Sequence, residues 1–227
     1  MTSRKEQKER LKAERLQREQ EAAAAERRKR LVGYGAGGGL AVAAIVAVIV
    51  VFAAGGGDDG SSGSGVQGEF PEGSIPAART ADLEQAAKAA GCKVEDFPEE
   101  GQGHVQTAVD YKTNPPTSGD HNPIPAEDGA YTDAPETEAL VHSLEHGRIT
   151  IQFDPAVPDS VKGDLKALFD ELQYHVILTP NETGMPFEVA ATAWTRSLGC
   201  PQMNEQVFDA IRAFHADFVD QGPEFVP

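Results

Sequence analysis

The sequence predicts an α+β fold: a two-layer domain of helices packed on a mixed sheet of about four strands, preceded by one transmembrane helix. Three observations predict it. No charged residue occurs over the 27 residues between Arg30 and Asp58. Beyond residue 70, helical and strand periodicities interleave, with Gly and Pro at the boundaries. Residues 70–227 also match the usual size of one domain.

Residues 1–30 carry 11 Lys/Arg against 6 Asp/Glu, a net of +5, whereas the remainder carries −21 of the total −16. Leu11 and Leu16 are too few for a coiled-coil seam, so this is a solvated tail. The uncharged stretch 31–57 has the core GGGLAVAAIVAVIVVFAAGGG, and its apolar segment 31–54 is long enough to cross a lipid bilayer as a helix. Arg27–Arg30 precede it and Asp58 and Asp59 follow. Positive charge stays inside, so the N-terminus is expected in the cytoplasm and the C-terminal domain outside, on a single-pass membrane anchor. A secretory signal cleaved near VFAA is the competing reading; it exports the same domain. Residues 55–69 read as a flexible Gly/Ser linker and 70–227 as the extracytoplasmic domain.

Within that domain Thr80 can cap a helix ADLEQAAKAA that Gly91 ends. His104–Tyr111, HVQTAVDY, has strand character. A proline-stiffened stretch then leads to Asp133-Ala134-Pro135-Glu136, a helix start whose helix runs to His146 and stops at Gly147. RITIQFD alternates like a strand, PDSVKGDLKALFDELQ is helical, and YHVILTP and FEVAATAWTRSL are strands. NEQVFDAIRAFHADFVD closes the chain as an amphipathic helix. The acidic body excludes nucleic acid as its partner, because phosphate contacts need Lys and Arg there. No protein partner is identified by the sequence.

Two cysteines, Cys92 and Cys200, each follow a glycine at the end of an element. In an exported domain an even pair reads as a disulfide; two separate buried thiols is the alternative. There is no CxxC, hence no thioredoxin-type redox motif.

The segment LVHSLEHGRITIQFD, Leu140–Asp154, carries the strongest chemical signal. At about 100° per residue, Leu140 and Leu144 form an apolar stripe, and His142 and His146 share a face largely opposite it. Imidazoles four residues apart on a helix can grip one metal ion. A solvated polar face is the plainer alternative. His104 opens a strand and His121 sits in the rigid NPPTSGDH loop; if the loop folds over the helix, the four histidines converge. Met185 and Asp120 are further candidate donors. Imidazoles with a thioether suit copper, and imidazoles with Asp120 or Glu145 suit zinc. Glu145 is a weak catalytic candidate: HSLEH matches H-x-x-E-H, but Gly147 ends the helix before a further ligand can follow. His175 is expected half-buried in a strand, His215 on the surface of the last helix, and Trp194 in the core.

The motifs HVQTAVDYKTNPPTSGDH (104–121), GAY (129–131), LVHSLEHGRI (140–149), TAWTRSLGC (192–200) and AIRAFHADFVDQGPE resemble the bacterial family of domains of unknown function numbered 3105. The likeness covers roughly residues 70–224, together with the charged tail and single span. It departs from the family pattern at Asp120, which follows TSG in the place of the family's proline. The resemblance implies a membrane-anchored exported domain and no established reaction or ligand. The expectation from the residues is therefore a non-enzymatic metal-binding module. A metal-free cell-envelope scaffold and a metal-dependent hydrolase are the alternatives.

Overall fold

The computed structural model describes residues 65–224 and 226. The tail 1–30, the apolar segment 31–54 and most of the linker lie outside those residues. Among the described residues, no helix is long and apolar enough to cross a membrane. The folded unit reaches into the expected linker, because Gly65–Gln67 pairs with Gly129–Tyr131 as a parallel strand.

One mixed sheet organises the domain. Its seven strands are β1 (Gly65–Gln67), β2 (Lys93–Asp96), β3 (Gly129–Tyr131), β4 (Ile149–Phe153), β5 (Val176–Pro180), β6 (Val189–Ala193) and β7 (Arg196–Cys200). Their order is β1-β3-β5-β4-β6-β7-β2. The β1/β3, β3/β5 and β5/β4 pairs are parallel; β4/β6, β6/β7 and β7/β2 are antiparallel. Four helices complete the described domain: α1 (Leu83–Ala90), α2 (Thr137–Glu145), α3 (Asp159–Leu172) and α4 (Glu205–Phe218).

The expected helices are present, with shifted starts. Asp82, not Thr80, caps α1 by accepting the Gln85 amide at 2.8 Å, while the Thr80 hydroxyl accepts the Asp82 amide. Gly91 ends α1 in the left-handed region, as expected. Helix α2 begins at Thr137 because the Asp133 carboxylate takes the Thr132 hydroxyl instead of capping. FEVAATAWTRSL is a hairpin and not one strand: β6 and β7 turn at Trp194 and Thr195, where Thr195 has φ 61°. His104–Tyr111 contributes only a single bridge, His104 to His121. Strands β1, β2 and β3 escaped the sequence reading because three or four residues are too few to show a period.

Two layers become three. Ile149, Ile151, Phe153, Val176, Leu178, Val189, Ala191 and Leu198 point to one face and pack with residues of α1, α3 and α4. Ile177, between Val176 and Leu178, points to the other face and meets Leu140 of α2 and Tyr131. Every residue of β4, β5 and β6 is buried, so both faces need covers. The alternation of RITIQFD hid this, since Thr150 and Gln152 look solvated. Instead Thr150 bonds Thr192, and Gln152 accepts from Asn181 at 2.7 Å in the interior.

Pairing of β2 with β7 sets Lys93 opposite Gly199, which brings Cys92 beside Cys200. The two are joined, with sulfurs 2.06 Å apart.

Candidate metal centre

The segment between β2 and β3 is tied down along α2. The Val109 amide donates to Glu138 Oε1 at 2.9 Å, and Ser143 Oγ donates to the Ala126 carbonyl at 2.8 Å. The Ala126 amide in turn reaches the Ala139 carbonyl at 3.1 Å. Pro115 to Gly119 are buried, and the Glu100 amide holds Ser118 Oγ at 3.0 Å. The helix face that the sequence left to solvent is thereby closed: His142 and Glu145 are 4% and 3% exposed.

This covering segment delivers two imidazoles. The His121 amide donates to the Gly103 carbonyl and the Val105 amide to the His121 carbonyl, both at 2.8 Å, so His104 and His121 lie side by side. Their ring centroids are 5.1 Å apart and lie 4.9 and 4.7 Å from that of His142. One donor atom from each of His104, His121, His142 and Glu145 lies within 4.8 Å of all the others.

Hydrogen bonds on the far side of two rings fix their tautomers. His121 Nδ1 meets the Gly119 carbonyl and His142 Nδ1 the Asn122 carbonyl, each at 2.7 Å. A carbonyl has no hydrogen to give, so Nδ1 carries a proton and, in the neutral ring, Nε2 presents a lone pair, as metal-ligating histidines do. His121 is wholly buried, and its Nε2 has no hydrogen-bond partner among the described residues. Glu145 Oε2 stands 3.1 Å away but out of hydrogen-bond alignment. A lone pair facing a carboxylate in the interior is costly unless a cation or proton lies between them.

His146 sorts differently from His142. Their Nε2 atoms are 3.0 Å apart, yet His146 belongs to a second group with Glu145 and Glu224. The helix ends at Glu145, and Gly147 turns the chain away at φ 80°. Glu224 arrives on the C-terminal segment, which is pinned there by its own amide to the Glu145 carbonyl at 3.1 Å and by the Asp220 amide to Gly147 O at 2.9 Å. Burial, then the positive charge risk of neighbouring His146, His121 and His104, lowers the His142 pKa to about 4 against the bond to Asn122. Burial and Arg148 lower that of His146, opposed by Glu224 and Glu145. Neutral imidazoles are the form that binds metal.

Asp120 is outside the four-group set; its Oδ1 accepts the Gly103 amide at 2.8 Å and so shapes the covering loop. Met185 is buried after β5, its amide on Asn181 Oδ1 at 3.2 Å. His175 precedes β5 with φ 49° and bonds Asp220 at 2.6 Å. His215 is buried, contrary to expectation, because its Nε2 meets the Tyr174 carbonyl at 2.8 Å. Trp194 is buried as expected and donates to Glu99. Glu145, expected as a carboxylate that would suit zinc beside the imidazoles, lies three residues after His142 on the same helix face and joins the group. Glu224 is the member that no residue pattern signals.

Fold and site together define an α+β domain in which three buried residues, His121, His142 and Glu145, and the exposed His104 form a group that could hold a metal ion. Residues 104–225, more than half of the chain, match the family model described as Protein of unknown function (DUF3105), and the chain belongs to that family. No curated protein and no solved structure matches the chain.

Proposed function

We propose that this domain binds one transition-metal ion through His104, His121, His142 and Glu145, without catalysing a reaction, outside the membrane on an anchor formed by residues 31–54. The observation that carries the reading is the His121 Nε2 lone pair, buried and unpartnered against the Glu145 carboxylate. Three imidazoles and one carboxylate suit Zn²⁺ or Cu²⁺, and the Glu145 carboxylate favours Zn²⁺. Four protein donors fill a tetrahedral shell, the arrangement of structural sites, whereas catalytic zinc keeps a position open. A coordinating Glu145 is also not free to act as a hydrolytic base. The Cys92–Cys200 disulfide supports an oxidising compartment and therefore export.

The test is titration of the purified full chain with Zn²⁺ and Cu²⁺. Tight binding of one ion or more, lost in a His121→Ala/His142→Ala double variant, is expected. No tight binding by the unaltered chain would leave a metal-free scaffold as the reading. Protease added to intact cells should remove the C-terminal domain; full protection would refute export.

A further inference from the structure

Glu145 belongs to both donor groups, and the second group is not absorbed by the reading above. We infer that the domain holds two metal positions sharing the Glu145 carboxylate: the inner one among three imidazoles, and an outer one at His146 and Glu224. The inference rests on the inner-site proposal and extends it.

Several independent placements converge on the outer position. His146 Nε2 faces Glu224 Oε2 at 3.5 Å, too long for a hydrogen bond and wide enough for an ion to draw the two together. Without metal the same nitrogen donates its N–H to the His142 Nε2 lone pair at 3.0 Å; moving the His146 proton to Nδ1 turns both Nε2 atoms into donors for metal, one for each position. Donor atoms of Glu145, His146 and Glu224 all lie within 4.8 Å of one another. The backbone is built to keep Glu224 in place: its amide bonds the carbonyl of Glu145 itself, and Arg148 clamps the same segment through the Val226 and His146 carbonyls at 2.7 and 3.1 Å.

The two positions differ in chemistry and access. The inner set has three nitrogens and one oxygen, with His121 inaccessible to solvent. The outer has one nitrogen and two carboxylates, and the Glu224 side chain is 58% exposed. A negative, oxygen-rich, partly hydrated site takes a divalent ion readily and gives it up readily. Water completes its shell, so the outer ion is the exchangeable one and the inner ion the retained one. A carboxylate shared between them lets occupation of one position shift the donor geometry of the other.

Zn²⁺ bound per chain, counted by elemental analysis after equilibrium dialysis of the full protein, separates the possibilities. Two ions are expected for the unaltered chain. One is expected for Glu224→Gln and for His146→Gln, with the tighter affinity retained in both. Thermal unfolding of metal-free Glu224→Gln should match that of the parent, because that side chain is 58% exposed and keeps its size. A single ion in the unaltered chain would overturn the outer position and leave the inner reading intact. Two ions in every variant would place the second ion elsewhere, which also overturns it. None in the unaltered chain would sink both.

Discussion

The Nε2 atoms of His142 and His146 stand 3.0 Å apart at the end of α2, and burial holds both rings toward the neutral form. His142, lowered from 6.5 to about 4, gives a pH prediction with a definite sign. Between those values the unfolded chain binds a proton that the folded chain refuses. The contribution is therefore fully present above pH 6.5 and is lost as pH falls toward 4. Denaturant unfolding of the metal-free protein should show this decline, and His142→Asn should flatten it. Equal slopes in parent and variant would assign the pH dependence to other groups.

The disulfide spans 108 residues of sequence, from the end of α1 to the end of β7. In the chain-entropy picture a closed loop of that length contributes about 4–5 kcal/mol. Cys200 is fully buried and Cys92 partly so, beside the β2/β7 edge. Cys92→Ser/Cys200→Ser should lower unfolding free energy by roughly that amount, with α1 and β2 losing amide protection first. Unchanged stability would show that strand pairing and the α1–α4 contact suffice alone.

The C-terminal segment depends on close backbone approach. A Cβ on Gly222 would lie 2.1 Å from the Glu145 carbonyl oxygen and 2.4 Å from the Gly147 nitrogen. Gly147 itself has φ 80° and approaches the Asp220 Cα. Gly222→Ala should displace residues 220–226 and cost more than about 1 kcal/mol. Hydrogen exchange at the Asp220 and Glu224 amides reads the displacement directly. Protection at the parental level would mean that the segment accommodates the methyl group.

The donors were legible in the sequence to the extent that helix geometry is local. His142 and Glu145 share a face by spacing alone, and the prolines of NPPTSGDH announced a rigid loop carrying His121. The same local rules misplaced the burial of that face. Nothing in EALVHSLEH reveals that Asn122 and Ala126 will bond α2 from outside, since those contacts link residues 20 and 17 apart. Polar strand residues misled for the same reason. Thr150 and Gln152 look solvent-facing until Thr192 and Asn181 are brought to them by pairing that only the whole sheet defines. Glu224 reaches the site through backbone bonds to Glu145, which no residue pattern encodes.

Glu145 separates a structural role from a metal role. Its carboxylate is nearly inaccessible, and the neighbouring His121 Nε2 is an acceptor, not a donor, in the tautomer set by Gly119. Without metal, a buried carboxylate in that setting opposes folding, whereas with metal it supplies charge to the ion. Glu145→Gln preserves shape and offers an N–H to His121. The metal-free variant should therefore be at least as stable as the parent, by roughly 1 kcal/mol or more. Zn²⁺ should raise the parent's unfolding free energy by about 2.7 kcal/mol at a hundredfold excess over Kd, and the variant's by much less. Loss of stability in the metal-free variant would identify the carboxylate as part of the fold's own polar network and remove the reason for placing an ion beside it.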